Sequence, residues 1–89
     1  MTDTEQSIEE RLKQMYELAA DTLGLDPEYV ASPKTVAAIR VYLKLYSLNS
    51  GDMQKIRAWL QTEHEELRGP PSEHVDSEEG LNKILKLLS

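Results

Sequence analysis

The chain is 89 residues long with a net charge of −6 and no cysteine. Its length bounds it to one domain with a thin core, and the missing cysteines exclude disulfides and thiolate metal sites. No apolar run approaches the ~18–20 residues that span a bilayer, and the acidic start "MTDTEQSIEER" is not a signal peptide, so a cytoplasmic location is expected.

A first helix is predicted from about Thr4 to Leu23, where Ile8, Leu12, Met15 and Ala19 recur at i, i+4, i+7 and i+11 as one apolar stripe. Gly24 is its stop, because glycine accepts the left-handed conformation after a helix without strain. Residues 1–30 are strongly acidic, with eight acids against Arg11 and Lys13. Asp26-Pro27 reads as a cap followed by proline at the first helical position, opening one short turn through Val30.

Ser32-Pro33 repeats that signal and opens a longer helix, about Pro33 to Leu48. Its predicted inner stripe is Val36, Ile39, Leu43 and Tyr46, but Val41, Tyr42, Leu45 and Leu48 make it apolar nearly all round. Such a helix is surrounded by protein, either as the centre of the bundle or as a subunit contact, and a homodimer or larger assembly is expected. The middle of the chain is also its basic part: residues 31–57 hold Lys34, Arg40, Lys44, Lys55 and Arg57 against Asp52 alone.

"NSGD", residues 49–52, is a turn and cap before a helix from about Asp52 to Glu63 that faces inward through Met53, Ile56, Trp59 and Leu60. "RGPP" stops that region, since two successive prolines cannot continue a helix. Asp76 with Glu79 three residues on reads as a capping box for a last helix reaching about Leu88, with Leu81, Ile84, Leu85 and Leu88 as its stripe. Gly80 in its first turn costs about 1 kcal/mol relative to alanine, and close approach of another backbone is one reason to keep it. No strand alternation occurs, so the fold class is all-α, a compact bundle of four to five helices.

Chemistry is sparse. His64 and His74 flank a loop with Glu63, Glu65, Glu66 and Glu73, but zinc needs three or four convergent ligands, and solvated polar residues explain the cluster better. No Gly-x-Ser-x-Gly elbow, cysteine nucleophile or glycine-rich phosphate loop occurs, so no catalytic residue, metal or cofactor is expected. "IEERLKQMYELAADTLGLDPEYV" resembles the opening helix of acyl carrier proteins, yet their Asp-Ser-Leu is missing and Ser32 is better read as a cap. "LGLDPEYVASPKTVAAIRVYL" suggests a helix-turn-helix with Lys34, Thr35 and Arg40 as candidate DNA-contacting residues. The segment from Asp26 to Ala31 is short for a supporting helix, so a capped core helix is the preferred reading.

The C-terminal third carries a more specific pattern. Ala58-Trp59-Leu60, then Leu67-Arg68-Gly69-Pro70-Pro71, then Glu78-Glu79-Gly80, then Ile84 to Leu88 follow one another in order. This succession resembles the toxin-binding domain of the Xre/MbcA/ParS antitoxin family, and the likeness covers about residues 36–88. It divides the chain into an N-terminal helical segment, 1–35, and an antitoxin-like domain, 36–89. The resemblance implies an antitoxin that neutralises a RES-type, NAD-degrading toxin by covering its active site, with a regulatory role at its own promoter. The residues expected to meet that partner are Glu65, Glu66, Arg68, Gly69, Pro70, Pro71, Glu78, Glu79, Gly80 and Lys83. An acidic rim there suits a basic cleft built for a dinucleotide. Trp59 reads as a core anchor that fixes the angle between the last two helices. Two other readings stand beside this one: a regulatory or phage-type adaptor that binds transcription machinery through the same module, and a helix-turn-helix DNA-binding regulator.

Overall fold

Serine 32 sets the frame of the fold. Its hydroxyl accepts the Thr35 amide at 3.2 Å, and Pro33 follows at the first helical position, so the chain turns from extended to helical within one residue. In the computed structural model, which describes the backbone of residues 2–88 and the side chains of residues 8–88, this cap opens the second of four helices. They are α1 (Thr2–Leu23), α2 (Pro33–Leu48), α3 (Met53–Gln61) and α4 (Glu78–Leu88), with a 3-10 turn at Pro71–Glu73 before the last. The all-α expectation holds: no strand occurs among the described residues.

Each boundary has a local cause. Gly24 takes φ +77°, and the Leu25 amide reaches back to the Ala20 carbonyl at 2.8 Å, closing α1 in the manner of a Schellman motif. At the α2–α3 turn, Asn49 Nδ2 donates to the Leu45 carbonyl at 2.8 Å, and the Asp52 carboxylate accepts the amides of Gln54 and Lys55 at 3.0 and 3.3 Å. α3 stops at Gln61, two residues earlier than expected. There Thr62 turns extended (ψ 131°) while its hydroxyl donates to the Ala58 carbonyl at 2.7 Å.

The short helical turn expected from Asp26 to Val30 does not form. Asp26 Oδ1 does accept the Glu28 amide at 2.9 Å, but that turn is not continued. The Asp26 carbonyl is taken by the Tyr16 hydroxyl at 2.9 Å, and the Val30 carbonyl by the Thr35 hydroxyl. With these carbonyls engaged by side chains, the segment forms no helix and lays Tyr29 edge-on against Tyr16.

α2 is the central helix and packs on both α1 and α4. Its buried side is Thr35, Ala37, Ala38, Ile39, Val41, Tyr42 and Leu45, so the expected inner stripe is corrected. Of Val36, Ile39, Leu43 and Tyr46, only Ile39 lies inside. The small residues Ala37 and Ala38 are buried on the inward side, and the bulkier Val36 and Leu43 are turned outward. A related correction applies to α1. Its stripe is buried at Ala19, half-buried at Met15 and exposed at Leu12 and Ile8. Burial begins only at Tyr16 and continues through Ala20 and Leu23.

The centre of the core is Val41 and Leu45 of α2, Ile56 of α3, Val75 of the loop, and Leu81 and Ile84 of α4, each at most 2% exposed. Tyr16, Ala20 and Leu23 join the same cluster from α1, so residues from both 1–35 and 36–89 share it. No helix among the described residues is long and apolar enough to cross a membrane.

Burial pushes the Tyr16 phenol above its ordinary value of 10.0, and the neighbouring Asp26 carboxylate adds to the effect. The folded state therefore holds this proton more tightly than the unfolded state does. The stabilisation is complete below pH 10 and is lost as pH rises through the higher folded value. Denaturation midpoints are expected to fall across that alkaline window in the wild type. The corresponding step should shrink in Tyr16→Phe, and an identical alkaline profile in both would show that Tyr16 is not its source.

Candidate functional site

The last third of the chain is built as a braced loop between α3 and α4. Leu60 closes α3 inside the core, while half-buried Trp59 lays its indole against the His64 imidazole, ring centres 4.8 Å apart. His64 then pairs with Gly69 in an isolated antiparallel bridge, the His64 amide donating to the Gly69 carbonyl at 3.1 Å. The hairpin between them folds tightly, with Leu67 N–H to the His64 carbonyl at 3.0 Å and Arg68 in the left-handed region at φ 58°.

Buried side chains anchor the loop along its length. Leu67, Pro71 and Val75 all point into the core. Between the last two, the amides of Glu73 and His74 donate to the carbonyls of Pro70 and Pro71 at 3.1 and 2.9 Å. The Glu73 carboxylate sits over Gly69, where a Cβ would lie 3.2 Å from its oxygen. Ser77, not Asp76, caps α4: its hydroxyl accepts the Gly80 amide at 3.0 Å and its carbonyl accepts the Leu81 amide at 3.0 Å. The expected capping box does not form: with Ser77 as the cap the third helical position is Gly80, which has no side chain to reach back. Gly80 itself is buried against the loop. A Cβ there would be 2.9 Å from the His74 carbonyl carbon and closer still to its oxygen. The close backbone approach expected at Gly80 is therefore real.

This bracing sorts the residues expected to meet a partner into two groups. Glu65, Glu66 and Arg68 are exposed on the hairpin, and Glu78, Glu79 and Lys83 are exposed along the start of α4, with Lys83 Nζ 3.6 Å from Glu79. Glu63, Glu73 and Asp76 extend the same exposed acidic rim. Pro70 is half-buried, while Gly69, Pro71 and Gly80 are buried. For those three the expectation of direct contact is replaced by an internal role, holding the loop's shape.

His64 is not the solvated residue that the sequence suggests. Its ring is instead half-buried on Trp59, and its Nε2 is enclosed with no hydrogen-bond partner. The Trp59-to-His64 spacing across a helix end carries too little information to reveal that pairing. Among the described residues no three His, Asp or Glu side chains converge on a metal position. The candidate DNA-contacting residues also part company. Lys34 and Arg40 are exposed, but Thr35 is buried and donates its hydroxyl to the Val30 carbonyl. With no helix over residues 25–31, the supporting half of a helix-turn-helix is missing, and Thr35 is corrected to a cap-side structural residue.

Comparison with protein-family models, with curated proteins and with solved structures gives no match to this chain.

Proposed function

We propose that this chain is a small binding protein of the antitoxin type, which neutralises a RES-type, NAD-degrading toxin by seating residues 58–88 over its active-site entrance. The observation that carries the reading is the braced acidic loop. Residues 58–80 hold seven acids against Arg68, and the carboxylates of Glu63, Glu65, Glu66, Glu73, Asp76, Glu78 and Glu79 are exposed on a segment anchored by the buried Leu60, Leu67, Pro71 and Val75. A loop tied down in this way binds with little ordering cost. Its charge complements a cleft shaped for a dinucleotide, where opposite potentials raise the association rate. The succession Trp59-Leu60, Gly69-Pro70-Pro71 and Glu79-Gly80 that resembles the antitoxin family braces the loop that presents these carboxylates, and the chain needs no chemistry of its own to act this way.

The test is capture from the native host with a tag at the N-terminus and identification by mass spectrometry, followed by an NAD-consumption assay of what is recovered. The expected result is an NAD-degrading enzyme silenced by stoichiometric chain. Charge reversal at Glu65 and Glu66, or at Glu78 and Glu79, should slow association, most visibly at low salt. Recovery of transcription machinery in its place would overturn the toxin assignment in favour of an adaptor role.

A further inference from the structure

The C-terminal end of α1 does not close fully against α3. A cleft of about 360 Å³ lies between them, with Ser72 of the 3-10 turn as its third wall. That is within the size range of small-molecule sites. Leu23 and Leu60 line it while being only 4 and 2% exposed, so its base is apolar and belongs to the core.

The polar lining of the cleft is uncommitted. Asp21 of α1 and Arg57 of α3 bring opposite charges to it, yet neither side chain forms an ion pair or hydrogen bond among the described residues. The side chains of Gln61 and Ser72 have no partner there either. Thr22 differs, since its hydroxyl donates to the Leu18 carbonyl at 2.8 Å. The two helical walls also differ in sign. α1 ends here with no basic residue in its last turn, so its terminal carbonyls add to the negative charge of Asp21. Arg57 makes the α3 wall positive, and a guanidinium presents paired N–H groups that fit a carboxylate.

This combination selects a ligand class. A simple anion on Arg57 would be repelled by Asp21, and a simple cation on Asp21 would be repelled by Arg57. An uncharged apolar molecule would strip water from both charges and pair neither. A molecule that carries both charges beside an apolar body matches every wall. We propose that the cleft binds a free α-amino acid with an apolar side chain. Its carboxylate meets Arg57, its ammonium meets Asp21 and the last carbonyls of α1, and its side chain rests on Leu23 and Leu60. None of the carboxylates of the acidic rim takes part, so the inference stands apart from the toxin-binding proposal.

The experiment is titration of the full chain with leucine, methionine and phenylalanine, followed by the amide signals in nitrogen–proton correlation NMR. At least one should give saturable shifts at Leu23, Gly24, Arg57 and Gln61, with half-saturation at about 1 mM or below. Two analogues of leucine each lack one charge: 4-methylpentanoate has no ammonium and 3-methylbutylamine has no carboxylate. Two variants remove the matching charge from the protein, Asp21→Asn and Arg57→Gln, both at exposed positions, and circular dichroism checks that they stay helical. Each variant should weaken the amino acid by about fivefold. Asp21→Asn should not weaken 4-methylpentanoate, and Arg57→Gln should not weaken 3-methylbutylamine. No saturable shift with any of the three amino acids overturns the proposal, as do shifts centred elsewhere or affinities that neither variant lowers. A loss of stability in Arg57→Gln with no ligand shift in the wild type would assign Arg57 to the end of α1 and likewise overturn the site.

Discussion

Replacing Gly80 with alanine is expected to lower the melting temperature by roughly 10 °C, the opposite of what helix propensity alone would give. Alanine in a helix interior gains about 1 kcal/mol over glycine. Against that gain stands the His74 carbonyl, whose carbon would be 2.9 Å from the new methyl and whose oxygen would be nearer still. The obstacle is backbone, so no rotamer change relieves it, and α4 would have to move away from the loop. Leu81 and Ile84, both fully buried, sit on that helix. Overpacking of this kind costs about 1–3 kcal/mol and at times more, leaving a net loss of about 2 kcal/mol. For a domain of this size each kcal/mol shifts the midpoint by about 4–8 °C. Paired thermal melts decide the matter. A Gly80→Ala protein as stable as the wild type would mean that helix and loop are not in contact.

A second large effect separates two leucines two residues apart. Leu45→Ala should cost about 3 kcal/mol, because a fully buried leucine leaves a cavity that its neighbours on α1 and α4 only partly fill. Leu43→Ala should change stability by no more than about 0.5 kcal/mol in dilute solution, since Leu43 is 41% exposed. Urea denaturation with a common slope measures both. Equal losses, or a larger loss at Leu43, would show that the inward face of α2 is the one read from periodicity.

That contrast shows where sequence reasoning worked and where it failed. The limits of α2 were legible from Ser32, Pro33 and the "NSGD" turn, because capping is local chemistry written in consecutive residues. Its inward face was not. Periodicity reports an apolar face, and α2 has two, so the choice between them depended on which one α1 and α4 pack against. Asp26-Pro27 carries the same local signal as Ser32-Pro33 but yields no helix. Tyr16, ten residues earlier, takes the carbonyl of Asp26, and no short-range pattern contains that bond. The one-residue displacement of the last cap has a similar origin, since Ser77 and Asp76 are both good caps and the Gly80–His74 contact selects between them. Of the candidate binding residues, the charged ones lie at the surface as expected. The glycines and Pro71 lie buried instead, because a residue that shapes a loop and a residue that touches a partner leave the same mark in a motif.

α2 packs on both α1 and α4, and α4 comes after the other three helices in chain order. During synthesis the chain emerges from its beginning at about 5–20 residues per second, so α1 and α2 reach solvent well before α4. Throughout that interval Val41 and Leu45 lack the cover that Leu81 and Ile84 later provide. A nascent chain stalled before residue 84 cannot complete its core on the ribosome. Protease resistance should therefore appear only in chains long enough to let the last turn of α4 dock.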